Sequence, residues 1–207
     1  MTVRKKSKVE AKGSMLMVCA TDAEVTFFSQ LRKDCRYSNL TIVKAQASSL
    51  QKFLSEAGSL RSKGKYTSVW CVFGYDELET TAEEVSEAKE TAEKKRLNML
   101  YFDPSFDLYF ALHEVSPRKI MTKEDLARRV AAAYEGYELT AQYFLTKGAN
   151  MNFMIYPKLA VADQNARSYD DLVEINTGYK ATTLPEFLDD LKTVCGKADM
   201  SHTRNRF

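Results

Sequence analysis

The chain has 207 residues, of which 44% are hydrophobic and 11% aromatic, and this is ample for one sizeable core. Its 30 Lys and Arg nearly balance 28 Asp and Glu, so the formal net charge of +2 excludes a histone-like polycation but not a local basic patch. No apolar run approaches the roughly 20 residues that cross a bilayer, so we expect no membrane partner. The four cysteines form no C-x-x-C pair, which favours reduced thiols in a cytoplasmic protein.

The first half of the chain alternates strand-like and helix-like segments. Short apolar or β-branched runs predict the strands, and apolar residues at helical spacing predict the helices between them. The predicted strands are 15–21, 40–45, 67–73 and 97–102, and the predicted helices are 24–36, 48–64, 77–96 and 104–112. Such alternation predicts an α/β fold, with a four-stranded, largely parallel sheet covered by helices on both faces.

The second half is predicted to be helical and to pack on this core. Its helices are 122–134, 157–173 and 184–194, with irregular connections at Gly136, Gly148 and residues 150–156. The resulting organisation is a basic disordered tail (1–14), an α/β core (15–116), a helical region (117–195) and a second disordered tail (196–207). The two tails carry net charges of +4 and +2, which leaves −4 on residues 15–195.

Carboxylates follow three of the four predicted strands. Asp22 and Glu24 follow the first strand, Asp76 and Glu77 the third, and Asp103 and Asp107 the fourth. In an open parallel sheet, ligands bind beyond the carboxyl ends of the strands, and carboxylate oxygens are what Mg²⁺ or Mn²⁺ requires. The plainer alternative is that these residues only begin helices, where the macrodipole favours Asp and Glu; spacing alone favours that interpretation.

Two further observations carry less weight for function. His113 lies near the end of an apolar predicted helix, where a lone histidine is more typical of a hydrogen-bonded structural residue than of a catalyst.

A generic flavodoxin-like domain that binds a small phosphate ligand is another alternative. The Gly- or Ser/Thr-rich phosphate loop that it needs after the first strand is absent.

Three segments, in this order, resemble motifs of the RloB family. Residues 19–28 (CATDAEVTFF) follow a family pattern of Cys-Glu-Gly, then Thr-Glu, then Tyr-Phe. Residues 69–77 (VWCVFGYDE) resemble V-W-x-V-F-D-x-D-E, and residues 103–113 (DPSFDLYFALH) resemble N-P-x-F-E-L-W-x-x-L-H. Weaker similarity continues through 162–167 and 183–194, so the resemblance spans about residues 15 to 195.

This resemblance implies a Toprim-like catalytic core and metal-dependent phosphodiester chemistry. Members of the family act in anti-phage, abortive-infection defence. By resemblance, the chain would be a nuclease effector that uses Mg²⁺ or Mn²⁺. Its partner would be an ABC-type or related ATPase, and its substrate DNA or RNA.

The resemblance also implies two overlapping sets of site residues. The predicted catalytic residues are Glu24, Asp76, Asp107 and His113, and the predicted metal ligands are Asp22, Glu24, Asp76 and Glu77. Asp107 takes the place of the glutamate in the third motif. His113 matches the histidine of that motif, with a role as proton donor or phosphate contact.

Two positions depart from the family pattern. The principal Toprim glutamate falls on Ala20, and the first aspartate of D-x-D falls on Gly74. Losing two carboxylates should weaken a Mg²⁺ site severely, although the neighbouring acidic residues could rebuild a shifted one. If Ala20 is native, a catalytically inactive Toprim-fold module that binds a protein or nucleic-acid partner is favoured. If it replaces a natural glutamate, an enzyme is favoured.

Overall fold

The computed structural model describes residues 13–200, and the predicted tail segments 1–12 and 201–207 lie outside these residues. The chain forms a four-stranded, all-parallel sheet in the order β2-β1-β3-β4. The strands are β1 (Met15–Cys19), β2 (Leu40–Lys44), β3 (Ser68–Gly74) and β4 (Asn98–Phe102). Within residues 13–200, no helix combines the length and apolar character needed to cross a membrane.

Four helices belong to the α/β half. They are α1 (Asp22–Asp34), α2 (Leu50–Lys63), α3 (Ala82–Lys94) and α4 (Asp107–Leu112). Each of the first three connects one parallel strand to the next, as the alternating sequence predicts. The predicted α/β fold class, with its four-stranded parallel sheet flanked by helices, is therefore confirmed.

Both faces of the sheet are buried, because successive strand residues point in opposite directions. Leu16 and Val18 of β1 pack against α2 and α3 through side chains such as Phe53 and Val85. The opposite face packs against α1 and the second half of the chain, with Phe27 of α1 at its centre. Burial on both faces explains why β1 and β3 are continuous apolar runs rather than alternating ones.

The second half is helical, as predicted, and packs on the face that carries α1. Its helices are α5 (Lys123–Ala133), α6 (Ala141–Leu145), α7 (Met151–Ile155), α8 (Leu159–Thr177) and α9 (Leu184–Cys195). The prediction of irregular chain at 150–156 was wrong for α7, and α6 was not predicted. Each has only five residues, too few to show a helical period, although Thr140 caps α6 by accepting a hydrogen bond from the Tyr143 N–H at 3.1 Å.

Residues 196–200 lie against α1, although the sequence predicts a disordered tail from residue 196. The Asp199 N–H donates to the Cys35 carbonyl at 3.1 Å, and the Asp199 carboxylate pairs with Arg36 at 2.8 Å. Met200 packs against the core. The composition of this segment is typical of a disordered tail. Its anchoring contacts have no local sequence pattern, because they are with residues more than 160 positions away.

Candidate functional site: an acidic crevice at the carboxyl end of the sheet

A crevice forms where the chain leaves β1 and β3 in opposite directions. The connection after β1 leads to β2 on one side, and the connection after β3 leads to β4 on the other. This reversal between adjacent parallel strands is where ligands bind in open α/β sheets. The residues that follow β1, β3 and β4 therefore meet at one edge, as the predicted carboxylates require.

Glu24 lies fully buried at the β1 side of the crevice. Its Oε2 accepts a hydrogen bond from the Thr21 N–H at 2.9 Å, while Thr21 Oγ1 accepts from the Glu24 N–H at 3.3 Å, which completes a capping box at the start of α1. Its Oε1 is buried without a hydrogen-bond partner in the described structure. Burial raises the pKa of Glu24 to about 8, and the charge of Glu77 adds to this rise.

Glu77 occupies the space that Gly74 leaves open. The sequence predicts a helix from Glu77, but α3 begins at Ala82 and Glu77 lies in the preceding turn. A Cβ atom on Gly74 would collide with Glu77 Oε2 and would lie 2.7 Å from the Phe106 backbone nitrogen. Glu77 Oε2 is buried with no hydrogen-bond partner in the described structure, and burial raises the pKa of Glu77 to about 7.

Asp107, the first residue of α4, is held in the crevice by two hydroxyl groups. Tyr137 donates to Asp107 Oδ1 at 2.7 Å, and Ser105 donates to Oδ2 at 3.0 Å. Burial raises the pKa of Asp107, while these two hydrogen bonds and the charge of Lys123 lower it. Both carboxylate oxygens are thus occupied, and the side chain is fixed in one orientation.

Lys123 of α5 brings a positive charge to this acidic crevice. Its Nζ lies 3.3 Å from Asp76 Oδ2, and its charge lowers the pKa of Glu77 as well as that of Asp107. The crevice opens into a cavity of about 570 Å³. Its lining includes Thr21, Glu77, Asp107, Lys123, Arg128 and Tyr137.

Asp22 and His113 lie outside this cluster. Asp22 is exposed and pairs with Lys44 at 2.6 Å. His113 is buried at the far end of α4, where its ring packs on that of Tyr109 with 4.7 Å between the ring centroids. Its Nδ1 lies 2.8 Å from the Tyr109 carbonyl, so Nδ1 carries the proton that this acceptor requires, and burial lowers the pKa of His113 to about 4.

The cluster comprises Glu24, Asp76, Glu77 and Asp107 from the predicted sets, with Asp103 at its margin. Burial and then the charge of Asp76 raise the pKa of Asp103. Within residues 13–200, no group of three or more His, Cys, Asp or Glu side chains is arranged to hold a metal ion. No sequence pattern indicates Lys123 or Tyr137, because both come from the helical half and reach the crevice only through packing.

The chain belongs to the RloB-like protein family, whose family model matches residues 15–191. The resemblance noted in the sequence is therefore confirmed. No curated protein and no solved structure is significantly similar to the chain.

Proposed function

We propose that the chain is an anti-phage effector of nuclease type that acts through Toprim-like, Mg²⁺- or Mn²⁺-dependent phosphodiester chemistry in the acidic crevice. The resemblance supports its placement in a defence system with a partner ATPase. The observation that carries the proposal is the pair of buried carboxylates, Glu24 and Glu77, each with one oxygen that lacks a partner. Such groups are costly to bury and occur preferentially at functional sites.

The two carboxylates Glu24 and Glu77 would suit a metal ion that is held largely by substrate, since no three side chains of residues 13–200 form a metal site by themselves. Mg²⁺ is usually bound by one or two carboxylates together with phosphate oxygens and water, rather than by a cage made only of protein. Glu24 Oε1 and Glu77 Oε2 supply two free oxygens, and Asp76 supplies a third group if Lys123 releases it. A bound ion would polarise the phosphodiester and activate water. Glu77 thereby compensates for the carboxylate missing at Gly74, whereas Ala20 has no such replacement.

The cationic wall of the cavity suits a phosphate-containing ligand. Lys123 and Arg128 lie about 1.4 turns apart on α5, and both line the cavity that Glu77 also lines. The ion pair between Arg128 and Asp125 is long, at 3.7 Å, and the Arg128 side chain is exposed. Arg128 can therefore leave this pair and bind a phosphate oxygen at small cost in free energy. These two side chains would orient a phosphodiester above the carboxylates.

A catalytically inactive interaction module remains the second candidate, and the ion pair between Lys123 and Asp76 favours it. This ammonium group already supplies part of the positive charge that a metal would bring. Together with Ala20, it makes the crevice a less complete metal site than the family pattern implies. Such a module would use the same face to bind a partner without cleaving it.

A cleavage assay distinguishes the two candidates. Labelled DNA and RNA, single-stranded and duplex, are incubated with the purified chain and Mn²⁺ at pH 8, with EDTA as the metal-free arm. We expect cleavage that EDTA stops and that falls by about 100-fold or more in Glu77→Gln and in Asp76→Asn, because these changes remove metal-binding charge.

The matched control is Asp171→Asn, which removes an exposed carboxylate from α8. This variant should cleave as the wild type does. Cleavage that survives in both Glu77→Gln and Asp76→Asn would exclude the proposed site. Absence of both cleavage and Mn²⁺ binding in the wild type would favour the interaction module instead.

A further inference from the structure

A second charged surface lies between α2 and α3, near the ends of these helices. It forms a groove of about 370 Å³ that we call the basic groove. Its lining consists only of small polar residues and cations, namely Ser55, Gly58, Ser59, Arg61, Ser62, Lys94, Lys95 and Arg96. No aromatic or large apolar side chain of the described residues lines it, so these residues offer none of the anchors on which protein–protein interfaces depend.

Packing against α2 positions Lys95 in the basic groove. Gly58 interrupts the middle of α2, where glycine costs about 1 kcal/mol relative to alanine. A Cβ atom there would lie 3.3 Å from Lys95 Cδ, so the glycine makes room for the Lys95 stem to cross the helix. Lys95 and Arg61 are both half-buried, yet neither forms an ion pair within the described part of the chain.

Cations near the carboxyl end of a helix often only balance the helix dipole. The dipole does not explain why cations from the ends of both α2 and α3 line one groove. Of the four basic residues, Lys94 alone forms an ion pair with a residue in the range 13–200, namely Glu90 at 2.6 Å. The hydroxyls of Ser59 and Ser62 donate to carbonyls of α2, so the ammonium and guanidinium groups are the main donors for a ligand. The groove is therefore suited to point charges such as phosphates.

The topology places this groove at the opposite edge of the sheet from the acidic crevice. Helices that follow parallel strands run back across the sheet, so the last turns of α2 and α3 lie beside the amino ends of the strands. Ser14 lies at the same edge, where its carbonyl accepts from the Thr67 N–H at 2.7 Å. Residues 1–14 carry a net charge of +4 in the sequence.

We propose that the basic groove is a binding site for the phosphate backbone of nucleic acid, separate from the acidic crevice and independent of metal. Half-buried, unpaired cations and the absence of apolar anchors favour a polyanion read by charge alone. The net charge of −4 on residues 15–195 thus conceals two poles, acidic at one edge of the sheet and basic at the other.

Fluorescence anisotropy with a labelled 20-base-pair duplex DNA in EDTA tests this inference on the full chain. We expect Arg61→Gln/Lys95→Gln to bind about tenfold or more weakly than the wild type at 100 mM salt. The slope of log K against log salt should become shallower by about 2, because each phosphate contact contributes about 0.9. Lys147→Gln/Lys180→Gln removes the same charge from exposed positions outside the groove and should bind as the wild type does.

Circular dichroism and the melting temperature establish that both double variants fold. Equal losses of affinity in the two variants would overturn the inference, because binding would then follow overall charge. Unchanged affinity in Arg61→Gln/Lys95→Gln would overturn it as well, and so would competition by polyglutamate as effective as that by unlabelled DNA. Because EDTA is present throughout, none of these outcomes depends on the proposed metal chemistry.

Discussion

Placing an aspartate at position 74, where the family pattern has one, should destabilise this protein instead of improving its metal site. Any Cβ there meets Glu77 Oε2 and the Phe106 backbone nitrogen, and the latter cannot move without shifting the turn before α4. Overpacking together with another buried carboxyl should lower the free energy of unfolding of Gly74→Asp by about 3 kcal/mol or more. Urea denaturation monitored by circular dichroism measures this loss.

The same measurement on Glu77→Ala and on Gly74→Asp/Glu77→Ala tests the cause. If Glu77 fills the space at position 74, the double variant should be more stable than the sum of the single changes by about 1 kcal/mol or more. Rescue should be incomplete, because the contact with the Phe106 nitrogen persists. Gly74→Ala separates sterics from charge, and a wild-type urea midpoint for that variant would contradict the proposed arrangement.

Stability should fall as the pH rises from 5 to 9, because Glu24 is buried with a pKa of about 8, far above its ordinary 4.5. A carboxyl whose folded-state pKa is raised contributes stability that is complete below pH 4.5 and is lost as the pH passes 8. At about 1.4 kcal/mol per pKa unit, Glu24 alone accounts for a loss of about 4 kcal/mol between pH 5 and pH 9. Thermal and urea unfolding in EDTA measure the slope.

Glu24→Gln should flatten this slope and stabilise the protein at pH 9, since glutamine can still accept the capping hydrogen bond from Thr21. Glu84→Gln is the matched control, because Glu84 holds the same position in the capping box of α3 but is exposed. His113 acts in the opposite direction. Its pKa of about 4 lies below its ordinary 6.5, so its contribution is lost only as the pH falls below 6.5. A parallel slope in wild type and Glu24→Gln above pH 6.5 would show that Glu24 is already charged.

The sheet and the position of the crevice follow from the sequence, because both depend on local patterns. Continuous apolar runs identify buried parallel strands, and chain order alone places the residues after β1, β3 and β4 at one edge. Helical geometry then separates Asp22 from Glu24: two positions along α1 turn the first outward to Lys44 and the second inward. A prediction based only on how closely each residue follows a strand cannot distinguish these two side chains.

The rest of the crevice depends on contacts that no local pattern encodes. Lys123 begins α5 and Tyr137 follows that helix, and only the packing of the helical half against α4 brings them to Asp76 and Asp107. In the sequence, Gly74 indicates only that an aspartate of the family pattern is missing. In the structure it is the space that receives the carboxylate of Glu77, three residues further along the chain.

A crystal soaked with Mn²⁺ at pH 8.5 tests the central claim most directly, because the anomalous signal locates the ion without reference to activity. The proposed function predicts a peak in the crevice in contact with Glu24 Oε1 and Glu77 Oε2, and its loss in Glu77→Gln. A crevice without a peak at saturating Mn²⁺, with Lys123 still paired to Asp76, would contradict the proposed metal chemistry.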